Sequence, residues 1–95
     1  MNDFHDAFQS KLRLKIISAL IPGGKTFKEL KSITDATDGN LSVQLSKLEA
    51  DGMITTTKSF ILKKPQTTAC ITEYGLAEFT KYVNYLTDIL KQSGE

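Results

Sequence analysis

One cysteine, one histidine and no tryptophan stand in this chain of 95 residues, and only two prolines interrupt it. With Cys70 alone, no intramolecular disulfide can form. With His5 as the single imidazole, soft ligands are too few for a zinc or transition-metal site, so no metal and no cofactor is expected. Such cysteine usage suits a reducing compartment. Long apolar runs are missing as well: nowhere do the ~18 consecutive apolar residues of a membrane-spanning helix occur. The start, MNDFHDAFQSKLRLK, lacks the basic stretch and apolar block of a secretory signal. The expectation is a cytoplasmic, single-domain chain over residues 1–95, in which 40% hydrophobic residues supply one modest core. The marks of catalysis are absent too. No nucleophile accompanies a base, no carboxylates pair in an apolar setting, and PGGK at 22–25 lacks the rest of a phosphate-cradling loop, so an enzyme is not expected.

What is present is unevenly distributed. Residues 11–64 carry ten basic side chains against five acidic ones, a net +5, whereas residues 72–95 carry two against four, a net −2. A basic body beside an acidic tail is a modest indication of polyanion binding, well short of a strongly basic domain.

The apolar pattern divides the chain into elements. Phe4, Phe8, Leu12, Ile16 and Leu20 recur every four positions, with Leu14, Ile17 and Ile21 beside them. This spacing predicts a first helix over 3–21, with Ser10 as the place for a break and Pro22 turning Ile21 away from helical geometry. Thr26 and Glu29 form a capping-box pair ahead of a second helix over 27–33, whose face is Phe27, Leu30 and Ile33. After the polar TDATDG, Thr37 or Asp38 caps a third helix over 38–51, with Leu41, Leu45 and Leu48 inward and Gly52 as its left-handed stop. β-Branched and aromatic residues then predict a hairpin over 53–71, turning in KKPQ around Pro65 with Lys63 and Lys64 at a basic tip. Thr72 caps a last helix over 73–91. There Leu76, Phe79, Val83, Leu86 and Leu90 follow the 3-4-3-4 rhythm of a coiled-coil seam, flanked by Tyr74, Tyr82, Tyr85 and Ile89. A terminal helix of a small domain buries only part of such a surface on its own body, so a second copy is the expected cover.

The order is mainly α with a small β-hairpin, α-α-α-β-β-α, which is a winged helix-turn-helix. LSVQLSKLEADGMI resembles the LS-x-H-L-x-x-LE-x-x-G signature of MarR/ArsR-type regulators. Together with RLKIISAL, FKELK, KKPQTT and ITEYGLAEFTKYVNYL, it is similar to the small single-domain winged-helix regulators of bacteria and archaea, from Leu12 to Leu90. The resemblance implies a dimeric DNA-binding transcriptional regulator with its long C-terminal helix in the dimer contact. Gln44 stands where the signature has His, which bears on the base read, and Ala69-Cys70 replace a bulkier pair.

The residues of the third helix support that reading. At about 100° per residue from Leu41, the side opposite the leucines centres on Gly39, Val43, Ser46 and Ala50, flanked by Ser42 and Lys47. Small groups admit a helix backbone to the major groove; Asn and Gln suit adenine edges, and Val suits a thymine methyl. Base-edge contact is expected from Ser42, Val43, Gln44 and Lys47, with Asn40 and Ser46 beside them. Phosphate contact is expected from Lys28, Lys31, Lys63 and Lys64 and from helix N-termini, while Asp35 and Asp38 would repel phosphate if they faced it. With ~4 phosphates neutralised per subunit, a dimer would show a log–log salt slope near −7. It would read a palindrome whose half-sites lie ~10 bp, or a multiple of it, apart. The alternative is a winged helix used for protein contact without specific DNA binding. An apolar effector between the terminal helices is compatible with the seam, though no residue pattern identifies one.

Overall fold

The computed structural model describes residues 6–93. Met1 to His5, with the start of the expected first helix, lie outside the described residues. A short 3₁₀ turn, Asp6–Gln9, precedes α1 (Lys11–Leu20). The break falls at Ser10, an extended residue whose side-chain oxygen accepts the Arg13 N–H at 3.2 Å. The first helix is therefore shorter than the 3–21 expected, because a serine N-cap competes with helix continuation. Phe8, in the 3₁₀ turn, is still buried in the core. Ile21 keeps helical dihedrals despite Pro22, contrary to expectation, and is exposed. The helix is closed by Ser18 and Leu20 carbonyls accepting the Ile21 and Gly23 N–H groups.

Lys25–Thr26 form a two-residue strand, β1, and α2 (Phe27–Thr34) follows directly. The capping box is closed: Glu29 N–H donates to Thr26 Oγ1 at 3.1 Å and Thr26 N–H to Glu29 Oε1 at 2.9 Å. The Thr26 N–H, donating to the carboxylate, holds the Glu29 carboxyl below its usual pKa. On α2, Leu30 is buried but Ile33 is half exposed. Thr34 lies inward instead and donates its hydroxyl to the Leu30 carbonyl at 2.8 Å. Asp35 ends the helix in the left-handed region, and Thr37 caps α3 (Asp38–Ala50) by accepting the Asn40 N–H at 3.1 Å. Leu41, Leu45 and Leu48 are buried with Ile16, Ile17, Leu20 and Leu30, at about 1.5–3 kcal/mol each. Gly52, at φ 79°, turns the chain out of α3.

β2 (Ile54–Ile61) and β3 (Lys64–Ile71) pair antiparallel, from Ile54 opposite Ile71 to Ile61 opposite Lys64. β1 pairs with β3 at Lys25↔Ala69 and Thr26↔Thr68, so the expected hairpin is part of a three-stranded sheet in the order β1-β3-β2. The turn is Leu62-Lys63, not KKPQ. Both residues have positive φ, 53° and 65°, in the mirror-image two-residue turn that matches strand twist. That conformation costs non-glycine residues roughly 1–2 kcal/mol each. Pro65 lies within β3, opposite Phe60 and beyond the end of β1, where its missing N–H interrupts no pairing with that strand.

The last helix, α4 (Glu73–Ser93), is rooted at one junction. Thr72 Oγ1 accepts the Gly75 N–H at 2.9 Å and donates to the Gly52 carbonyl at 2.6 Å, while Thr72 N–H donates to Met53 O at 3.0 Å. Gly75 is buried against Met53 and Ile71, and a Cβ there would collide with the Met53 carbonyl oxygen. Phe79 and Tyr82 close on Phe8, with ring centroids at 6.0 and 4.8 Å. From Val83 onward every described residue of the helix is exposed. The molecule measures 57 × 24 × 21 Å, and its radius of gyration of 14.8 Å exceeds the ~12 Å of a compact chain of this length.

Candidate nucleic-acid interface

α3 and the wing, formed by β2 and β3, enclose a shallow groove lined by Ser42, Ser46, Glu49, Thr56, Lys58 and Thr67 among others. The side of α3 away from the leucines is open: Ser42, Val43, Ser46 and Lys47 are exposed, as is Asn40 at the first turn. Val43, 51% exposed, lies mid-face with no charged neighbour adjacent in sequence. An uncharged, small-residue strip with one lysine is thus set outward on a helix whose opposite side is fixed in the core.

Gln44 is placed differently from this strip. It is half-buried on the flank facing α1, where Arg13 Nη1 donates to its Oε1 at 3.3 Å and its Nε2 donates to Asn40 Oδ1 at 3.4 Å. These long bonds are weak individually, but in series they orient both amides of the α3 flank. Arg13, on α1, has no role in the sequence reading because 31 positions separate it from Gln44 and no local pattern links them.

The orientation of the wing relative to α3 is also fixed. Glu49 accepts the Thr56 N–H at 3.1 Å, and the Thr56 hydroxyl lies 2.9 and 3.0 Å from the two carboxylate oxygens. A carboxylate accepting both groups of one residue makes a charge-assisted clasp between helix and strand. Glu49 and Thr56 were missed by sequence reasoning, since the glutamate reads there only as part of a signature.

The four expected phosphate ligands separate into groups. Lys28 and Lys64 line a second cleft, between the start of α2 and the wing, together with Lys58, which the sequence expectation omits. Lys63 is exposed in the wing turn. Lys31 is bound to Asp38 at 2.7 Å, an exposed ion pair of small net value. This pair offsets the charge of Asp38 in the first turn of α3. Lys11, Lys15 and Asn40 share a further hollow between α1 and the first turn of α3. The wing tip is not simply basic: Phe60, Ile61 and Leu62 are 75%, 51% and 91% exposed between Lys58 and Lys63. Of the expected seam residues, Leu76, Val83, Leu86 and Leu90 are exposed, while Phe79 packs on the chain's own Phe8.

Among the described residues no group of His, Cys, Asp or Glu is placed to hold a metal ion, and no helix is long and apolar enough to cross a membrane.

Residues 12–90 match the family model described as winged helix DNA-binding domain. The chain is 40% identical over 88 residues to an uncharacterized protein of Methanocaldococcus jannaschii, covering 90% of this chain and 91% of that one. A transcriptional regulator homologue from Pyrococcus horikoshii superposes with a TM-score of 0.77 at 27% identity, covering 92% of each chain. A MarR-family regulator of Enterococcus faecalis has the same fold, with a TM-score of 0.77 at 22% identity, over 94% of this chain and 83% of the other.

Proposed function

The chain belongs to the winged helix DNA-binding domain family, and from that premise we propose that two copies bind a palindromic DNA site as a sequence-specific transcriptional regulator. α3 lies in the major groove, where Ser42, Val43, Ser46 and Lys47 meet base edges and Gln44 and Asn40 reach them from the flank that Arg13 steadies. Lys28, Lys58, Lys63 and Lys64 take phosphates from the wing side, with Lys31 exchanging Asp38 for a phosphate on binding. Leu76, Val83, Leu86 and Leu90 of α4 meet their counterparts in the second copy, and a cytoplasmic setting suits both partners.

The observation that carries this reading is the outward strip of α3, uncharged but for Lys47, clasped through Glu49 and Thr56 to a wing without a single carboxylate from Met53 to Ile71. Small uncharged residues allow a helix backbone close approach to the major groove, and Lys47 adds a donor for base edges. Selecting bound duplexes from a random DNA pool tests the proposal. A palindromic consensus with half-sites ~10 bp apart, or a multiple of it, is expected. Recovery of no enriched sequence would favour the protein-contact module.

A further inference from the structure

The wing ends in a feature that phosphate binding does not use. Leu62 is 91% exposed and sits at φ 53°, in a turn position that Asn or Gly fills at low cost. Phe60 and Ile61 precede it, also exposed, and Lys58, Lys63 and Lys64 surround the three. No other part of the described chain covers this tip. A leucine both strained and solvated is a local conflict of the kind that marks a functional position rather than a folding one.

We infer that Leu62 is an apolar wedge that enters the DNA minor groove beside the major groove held by α3, unstacking one base step and bending the duplex. The inference rests on the DNA-binding reading above and adds a residue and a deformation to it. Three observations single out DNA as the occupant. The two-residue turn is the narrowest end a hairpin can have, and at its apex Leu62, beside Lys63, is the apolar side chain presented to a groove about 6 Å wide. Leu62 lies six positions beyond the Thr56 clasp, a reach of ~20 Å at strand rise. Half a turn of B-DNA, which separates neighbouring major and minor grooves, is ~17 Å. Finally, the three lysines around the apolar apex and the carboxylate-free strands are complementary to a polyanion on both sides of the tip. A lipid surface would satisfy the charge but would leave the clasped geometry with α3 unused.

The test compares the wild type with Leu62→Asn and Leu62→Met on a duplex recovered from the random pool, with 2-aminopurine at its pyrimidine–purine steps. Wild type and Leu62→Met should raise 2-aminopurine fluorescence and bend the duplex by an angle within the ~20–90° range of wedge-inserting proteins. Leu62→Asn should do neither and should bind roughly tenfold more weakly, with the salt slope unchanged because no charge is lost. Its thermal midpoint should rise, since asparagine tolerates positive φ, and a residue with a purely structural role would show the opposite. Equal affinity and bending for wild type and Leu62→Asn would overturn the wedge while DNA recognition stands. Failure of the wild type to bind any pool duplex would overturn both. Leu62-dependent binding to phosphatidylserine vesicles without any effect on DNA would reassign the tip to lipid.

Discussion

The wing tip and the far half of α4 both hold large apolar side chains in water, yet by different means. On α4 the exposed residues Val83, Leu86 and Leu90 stand on regular helical backbone, spaced three and four apart. At the wing tip Phe60, Ile61 and Leu62 are consecutive, and Leu62 occupies a left-handed conformation. A regular stripe on an unstrained rod suits a surface with the same period, such as a second α4. A strained apex bearing one apolar side chain suits a narrow recess that has no period to match. Exposed apolar area alone does not identify a partner; the backbone that presents it narrows the choice.

Four variants would break or sharpen that contrast. The largest effect is expected from charge in the regular stripe: Val83→Asp with Leu86→Asp should turn dimers into monomers in sedimentation at micromolar concentration, since paired like charges in an apolar seam are desolvated. Persisting dimers would move the interface off α4. Next, Gly75→Ala should destabilise the fold by about 1–3 kcal/mol in urea unfolding, because the new methyl meets the Met53 carbonyl that roots α4 on the sheet. Lys63→Ala with Lys64→Ala should leave stability and dimerisation alone but flatten the log–log salt slope of a dimer by roughly 3 to 4. An unchanged slope would remove these lysines from the phosphate contacts. The smallest effect belongs to the body, where neither apolar end is involved. The Glu29 carboxyl titrates below its usual value in the folded chain, so its stabilisation is present above the ordinary carboxylate range and is lost as pH falls toward the lowered folded value. Glu29→Gln keeps an acceptor for the Thr26 N–H but should remove that acid-side loss from the unfolding curve.

Much of the fold was legible because its signals are local. The Thr26/Glu29 box, the Thr37 cap and the three leucines of α3 each lie within one or two helical turns, where periodicity and capping rules act. The wing turn was misplaced for a complementary reason. Lys-Pro carries a turn signature and Leu-Lys carries none, but the pairing register of β2 and β3 outweighed that preference. β1 is only two residues long, too short for a pattern, and exists because Lys25 and Thr26 pass beside Ala69 and Thr68. Within the candidate site, the outward strip of α3 was legible from helical spacing. Arg13 on Gln44 and Glu49 on Thr56 were not, since each contact joins different elements. Phe79 keeps the seam's spacing yet packs on Phe8, because the heptad rhythm cannot distinguish a chain's own core from a partner's.

Thr72 touches three things at once: the carbonyl of Gly52 where α3 ends, the carbonyl of Met53 where the wing begins, and the Gly75 N–H where α4 begins. In the proposed dimer, that hub separates two kinds of information. The α3 side chains specify the letters of each half-site, while the direction of α4 from the hub specifies the distance between half-sites. In such a dimer, substitutions on the outward side of α3 would change the letters read, and substitutions that redirect α4 from the hub would change the spacing.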